Sequence, residues 1–582
     1  MTDRRLSDAL PVLAYAAGLF VLVVFIARFS TPLAFLDDLT QVRFLYPEAV
    51  LDWDWLWHQH NEHRIPLPRL IYTGLLLMFR DFRAPTWVDV ALLAGFVWVL
   101  MEAARRIRGR RSAFDAFFPL LWLSLGPAEN HLNGFQVVFF LPIGLAAVFL
   151  AVIAQSQFPL RPRTVAGLGT IVFLLPLCGV PGIIVALPLA AWLFLDGVTR
   201  LRATDRAERG GARIAVIASV LTLALIGATL IGFQFLPNPG RPGPLQVAAT
   251  TLQALGQSAG WLNLHAWPYG GILALLLFLS GVAAAFRGWR HAGDQRRRAL
   301  AIAAVLVAGL GLALAIGVGR GADQAHAGML SRYGTLAMLW PTAAWFAFAL
   351  WGSPQTRTVV QASALALAAA CWFGNLGSAW KYGTDRRDAA EALVRESRGG
   401  TTWKELAEDH YAPFFWSPAD FFVVLRDLER TGMPPFSRPG ATLRAPTPFD
   451  SFLDAPDEVR HDAPPASRSW GNDGLTAMHP GSSLRWRLPD DVRHFGVRLG
   501  LPPYAGILEP SKPAQMSIWL ESADGSKSRQ LAEFELREGR GEPPFYGQDY
   551  EVRLPPATGR VLVLRVAKDS PRWGAWSYAS LR

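Results

Sequence analysis

LPVLAYAAGLFVLVVFIARFSTPLAFLDD, residues 10–38, decides how the rest of the chain is read. The run Leu10–Ile26 is apolar and follows Arg4 and Arg5, as a secretory leader would. It is long, however, and no convincing small-x-small cleavage site precedes Asp37. It is therefore read as an uncleaved first membrane span. Just after it stand two adjacent carboxylates, Asp37 and Asp38. Carboxylates at the mouth of a span are costly to desolvate, so they sit where water, a metal or a cation meets them, or they cap the next helix.

Similar runs recur outward from this one: Trp87–Ala103, Phe114–Leu125, Phe135–Ile153, Val165–Leu177, Ile183–Leu195, Ile214–Phe235, Ile272–Phe286, Ala299–Val318, Thr335–Leu350 and Val359–Phe373. With the first they make about eleven spans, several of them shorter than the ~20 residues that cross the hydrocarbon comfortably. Apolar residues make up 51% of the chain, a share that suits a polytopic protein. The formal net charge is +10, but the arginines cluster in short loops between apolar runs. Membrane orientation explains such clusters better than nucleic-acid binding, which is set aside. Cys178 and Cys371 lie in or beside apolar spans without a neighbour at ligand spacing, and read as small core residues.

The basic loops fix the orientation. Arg4–Arg5, Arg105–Arg111, Arg161 and Arg163, Arg200–Arg209, Arg287–Arg298 and Arg357 all fall on one side of the alternation, which must be the cytoplasm. This requires Ile65–Phe79 not to cross, so it is read as a helix lying on the membrane surface within a long first outer loop, 29–86. The odd number of spans puts the C-terminus outside. The expected domains are a transmembrane domain over 1–375, an extracytoplasmic helical segment over 376–440, a linker over 441–482 and an all-β, sandwich-like domain over 483–582. LRWRL, FGVRL, MSIWL, AEFEL, YEVRL, VLVLRV and WSYAS alternate with period two between Pro, Gly and Asp turns, the pattern of short sandwich strands. Trp470, Trp519, Trp573 and Trp576 there are candidates for a glycan face or for the core.

Polar residues gather in the loops of one side. WDWLWHQHNEHR, residues 53–64, carries His58, His60, Glu62, His63 and Arg64, suited to hydrogen bonding or to a divalent metal, although no strong zinc spacing is present. Glu129, Asn130 and His131 occupy a second loop. GRGADQAHAGMLSRYG, residues 319–334, places Arg320, Asp323, His326, Arg332 and Tyr333 in a third. Arginines on the outer side run against the orientation rule. A lipid phosphate held by a bidentate guanidinium would explain them, and so would ion pairs with carboxylates such as Asp323.

The layout resembles the C-type (GT-C) polytopic glycosyltransferases. A first span ending in an acidic pair, a long first outer loop with surface-lying helices, a multi-span core and a C-terminal outer domain carry the likeness. HNEHRIPLPRLI (60–71), ENHLNGFQ (129–136) and SRYG (331–334) look like recurring pieces of uncharacterised bacterial members. The resemblance implies sugar transfer from a polyprenyl-phosphate donor in the bilayer to a glycan, lipid or protein acceptor outside the cytoplasmic membrane. It implies Asp37 or Asp38 as base, and Arg332 with Arg320 and Tyr333 at the lipid phosphate. Glu129 and His131 would orient the acceptor or share a divalent ion with the aspartates. Some members need such an ion and others do not, and the lipid tail is expected in an apolar groove between spans. The alternative is a transporter or flippase for a lipid-linked or anionic substrate, against which stand the outer placement of the charges and the lack of a repeat. A non-enzymatic anchor for the β-domain ranks last, because so many spans exceed what anchoring needs.

Overall fold

The computed structural model describes residues 2–45, 51, 53–234, 241–398 and 403–415, scattered positions between 418 and 433, and the strand segments between Ser451 and Leu581 with a few flanking positions. The chain falls into two compact units. The first is Met1–Ala34 with Glu48–Asp388, and the second is Phe35–Pro47 with Ala389–Arg582. The segment 29–86 is thereby divided, and Asp37 and Asp38 belong to the second unit.

The first unit is helical. Among the described residues, nine helices are long and apolar enough to cross a membrane, and the shorter apolar helices are Pro66–Phe79, Ala113–Trp122 and Pro162–Cys178. Of the eleven expected spans, nine coincide with the long helices. The runs at 114–125 and 165–177 coincide with two of the short ones. Helices suit this composition because hydrocarbon offers the backbone no hydrogen-bond partners, so the amides must be satisfied within the segment. Large apolar side chains such as Phe20, Ile217, Leu276, Val307 and Phe373 stay exposed along them, as a lipid-facing surface requires. Gly109 ends the helix Arg83–Arg108 in a left-handed conformation, with Arg105, Arg106 and Arg108 in its last turn against the negative end of the helix dipole. The helices Gly134–Gln155 and Ser331–Trp351 are the most buried of the nine. Gly144 on the first lets the Phe96 ring approach within 1.8 Å of where a Cβ would stand.

Side-chain contacts sort the loops into two ends. At the arginine-rich end, Asp196 pairs with Arg200 and approaches Arg297 at 3.8 Å. The Trp192 indole donates to the Arg297 carbonyl at 3.1 Å, Trp351 donates to Gln295 at 3.0 Å, and Arg298 donates to the Ser156 carbonyl. At the opposite end, Gln59 exchanges hydrogen bonds with the Gln234 backbone at 2.6 and 2.9 Å, and Gln253 donates to the Ala325 carbonyl at 2.8 Å. Apart from the Asp196–Arg200 pair, which lies within one helix, each contact joins segments that the alternation of spans assigns to the same side.

Three features depart from the sequence reading. The last long helix, Pro354–Arg398, runs without a break past residue 375, because no Pro or Gly pair interrupts it where its composition turns polar. The helix Pro244–Gly256, between the runs 214–235 and 272–286 and assigned to no span, packs against Asp294–Arg320 and Tyr269–Trp289. The residues read as a linker, 441–482, supply the short strands Ser451–Phe452, Glu458–Arg460 and Thr476–Met478. Strands of two or three residues are too short to show a period.

In the second unit the strands form two five-stranded sheets. One runs Gln548–Arg553, His494–Gly500, Gly574–Leu581, Ser451–Phe452, with Thr476–Met478 also paired to Gly574–Leu581. The other runs Glu458–Arg460, Ser483–Arg487, Arg560–Val566, Ala514–Ser522, Ser528–Leu536. Pairing is antiparallel throughout. All seven expected strands are present. Leu499 and Val552 from the first sheet share a core with Leu484, Met516, Ile518, Leu562 and Leu564 from the second, the arrangement of a sandwich. The Trp519 indole donates to Ser517 at 2.9 Å under the Arg565 guanidinium. Trp470 and Trp573 lie outside the described residues, and Trp576 lies in the strand Gly574–Leu581.

Candidate functional site

At the end opposite the arginine clusters, the first unit gathers side chains from four loops. ENHLNGFQ and SRYG form the entries to the two most buried helices, so their polar residues are presented by the most tightly held part of the bundle. Gly134 permits this entry, since a Cβ there would stand 2.6 Å from Pro85. Arg332 donates to Glu129 at 3.2 Å and lies over the Tyr333 ring, its guanidinium carbon 5.6 Å from the centroid. Asn130 locks the two loops together by donating to the Arg332 carbonyl and to Thr335, each at 2.8 Å. Tyr382 and Arg386 on the helix Pro354–Arg398 hydrogen-bond to each other, and Tyr382 lies within electrostatic reach of Glu129 and Arg332. Neither was singled out from the sequence, because both sit in a helix whose polar turns look like a solvated face.

A second ion pair lies beside the first. Arg320 reaches Glu62 at 3.2 Å and Asp323 at 3.5 Å, within electrostatic range of Tyr333 and Arg332. Arg320 and Arg332 thus both carry carboxylate partners. Both pairs remain partly exposed, so another anion can compete for either guanidinium at small cost.

The histidines divide among separate partners. His60 is buried with its ring 5.0 Å from Phe135, and the Nδ1 of His63 accepts the Val180 amide at 3.4 Å. Gly179 allows the latter approach through a φ of +84°, with His63 and Ile65 packed where a side chain would be. His131 is buried against Phe140 and its Nε2 donates to the Ser124 carbonyl at 2.9 Å. Burial pulls its pKa down to about 4, only partly opposed by that hydrogen bond. Burial also draws Arg64 below its usual range. Among the described residues no group of three His, Cys, Asp or Glu side chains is placed to hold a metal ion.

Arg69 is the residue that sequence reasoning missed most completely. It is 1% exposed, and its Nη1 donates to the carbonyls of Trp55, Leu56 and His58 at 2.6, 3.1 and 2.8 Å. It thereby terminates the short helix Trp53–Trp57, whose Trp53 and Trp57 rings stack at 5.3 Å. A lone arginine inside an apolar helix gives no sign that three backbone acceptors await it.

An apolar cleft of about 470 Å³ runs along the bundle, a volume in the range of small-molecule sites. Ser124, Ser258 and Asn263 line one end, and Phe117, Trp345 and Phe348 the other. Leu273, Val359 and Leu367 on its walls are exposed, so it opens toward lipid between the helices Tyr269–Trp289 and Pro354–Arg398. Its polar end abuts a fixed network: Asn375 donates to the Ala259 carbonyl at 3.0 Å and to Ser124 at 3.4 Å. The Ser124 carbonyl in turn accepts from His131, which shares a helical turn with Glu129.

In the second unit, Asp37 and Asp38 open the 3-10 helix Leu36–Leu45. Asp38 is 2% exposed, and its carboxylate accepts the Phe35 amide at 3.4 Å. Asp37 is half-buried, and its carbonyl accepts the Thr40 hydroxyl at 2.7 Å. The Leu36 amide donates to the Phe414 carbonyl at 3.0 Å, and the Phe35 and Phe414 rings pack at 4.6 Å, so the acidic turn is braced by the later part of the chain.

No family model matches the sequence, and no curated protein does. Three chains of solved structures match. One is the cryo-EM structure of arabinosyltransferase EmbB from Mycobacterium smegmatis, at 11% identity and a TM-score of 0.28. The match covers 100% of this chain and 65% of that one, so this chain spans less than two thirds of EmbB.

Proposed function

We propose that the protein is a membrane glycosyltransferase that moves a sugar from a polyprenyl-phosphate donor to an acceptor outside the cytoplasm, a cell-envelope glycan, lipid or protein. The observation that carries the reading is the lipid-facing apolar cleft whose polar end adjoins the loop bearing Glu129, the partner of Arg332. In this reading the arginine-rich end faces the cytoplasm, the tail of the donor lies in the cleft, and its phosphate takes Arg332 from Glu129. Arg320, with Glu62 as its resting partner, supplies a second cation. Tyr333 and Asn130 hold Arg332 in place, and His131 positions the loop of Glu129 as a neutral donor.

The chemistry asks little else of the protein. The acceptor oxygen attacks the anomeric carbon, the bond from that carbon to the phosphate oxygen breaks, and polyprenyl phosphate leaves as an anion that the guanidinium stabilises. The acceptor proton passes to a carboxylate. Asp37, the more exposed of the acidic pair, is assigned this role, and Asp38 fixes the turn through the Phe35 amide. His60, His63 and Arg64 shape the loop toward the acceptor.

Asp37→Asn is expected to abolish sugar transfer from a polyprenyl-phosphate donor in membranes, at an unchanged amount of folded protein. Asp38→Asn is expected to lower transfer at least about tenfold, a smaller loss than the ~10²–10⁴-fold that removal of a general base itself brings. Full activity in both variants would remove the assignment.

A further inference from the structure

The arginine-rich end of the same cleft carries a second feature that the transfer reaction does not use. Arg108 lies over the Trp345 ring, its guanidinium carbon 5.2 Å from the centroid, and Trp345 lines the cleft. Arg110 and Arg357 are within electrostatic reach of Arg108. Val359 and Val360, in the turn after Arg357, line the cleft as well. Against these three cations stands Asp115, which pairs with Arg108 and gives its other oxygen to the Ser112 amide at 3.0 Å. Among the described residues, neither Arg110 nor Arg357 has a carboxylate partner. The Trp345 indole N–H is buried and without an acceptor among the described residues, a cost that an ester or phosphate oxygen would relieve.

We infer that this end of the cleft is a binding site for an anionic glycerophospholipid of the adjoining leaflet. One acyl chain lies between Trp345, Phe348 and Val360, and the phosphate lies at Arg110 and Arg357. Excess positive charge, an apolar slot opening to lipid and an unsatisfied donor at the junction of the two together select a lipid with a negative headgroup over a zwitterionic one. The two lipids share the cleft, but this phosphate lies at the opposite end from the one assigned to the donor phosphate. Ser124, Ser258 and Asn263 lie at the other end of the cleft, so each leaflet supplies its own occupant.

The test is native mass spectrometry of the full chain released from a neutral detergent supplemented with phosphatidylglycerol or with phosphatidylcholine. Phosphatidylglycerol is expected to remain bound at one per chain and phosphatidylcholine to be lost. The double variant Arg110→Ala with Arg357→Ala should weaken phosphatidylglycerol at least about tenfold, with an unchanged melting temperature in lipid-free detergent. Val360→Trp, which fills the slot and leaves the cations in place, should weaken it comparably. Arg332→Ala should leave it as it is. Equal retention of the two lipids, or undiminished phosphatidylglycerol in both the double variant and Val360→Trp, overturns the site. If Arg332→Ala alone releases the lipid, the anion lies at the donor end: this inference fails and the proposed function does not.

Discussion

At the residue scale, single side chains decide how closely the helices approach. Gly144 faces the Phe96 ring with no room for a methyl group. Gly144→Ala should therefore destabilise the bundle by about 1–3 kcal/mol through overpacking, measured as unfolding in mixed micelles. Phe96→Leu in the same chain should restore part of the loss. A neutral Gly144→Ala variant would mean that the two helices are less closely packed than described. His131 makes a prediction in pH. Its folded pKa, about 4, lies below the ordinary 6.5, so between those values the unfolded chain binds a proton that the folded chain refuses. Stability should be lost as pH falls from about 6.5 toward 4. His131→Gln should flatten that part of the profile relative to the parent chain, and identical slopes would show that His131 is not held neutral.

At the scale of elements, Arg69 organises the segment before its own helix by tying the carbonyls of Trp55, Leu56 and His58 to the helix Pro66–Phe79. Arg69→Met removes these charge-assisted bonds and strands three acceptors. The cost is expected at about 2–4 kcal/mol locally, seen as faster amide exchange across residues 53–58 while the span Gly134–Gln155 keeps its protection. Uniform exchange in both chains would deny Arg69 this role. The contrast with the spans shows what sequence can carry. A run such as Phe135–Ile153 announces itself because crossing hydrocarbon demands a long apolar segment from the segment alone. The seven longer strands announce themselves by alternation. Strands such as Glu458–Arg460 owe their existence to a neighbour in the sheet, and the helix Pro244–Gly256 to the two spans it packs on, so neither leaves a local mark. The same holds for the site. Arg320 and Arg332 stood out by defying the orientation rule, and Glu129 and Glu62 were visible as polar points in outer loops. Their pairing depends on which spans are neighbours, and Tyr382 and Arg386 enter only through that arrangement.

At the scale of the whole molecule, the first unit is a bundle with two chemically distinct ends joined by an apolar cleft. The arginine clusters and the buried Asp196–Arg200 pair occupy one end, and the Glu129–Arg332 and Glu62–Arg320 pairs the other. The second unit carries the acidic turn Asp37–Asp38 and a two-sheet sandwich. The central claim is that the cleft receives the tail of a lipid-linked substrate whose phosphate is held at Arg332. A polyprenyl phosphate bearing a diazirine in its isoprenoid tail, irradiated with the protein in membranes and mapped by peptide mass spectrometry, tests it directly. Adducts should concentrate on Leu273, Leu367 and their neighbours along the cleft, disappear with excess unlabelled polyprenyl phosphate and fall several-fold in Arg332→Ala. Adducts spread over lipid-facing residues such as Phe20, Ile217 and Val307, without competition, would contradict the account.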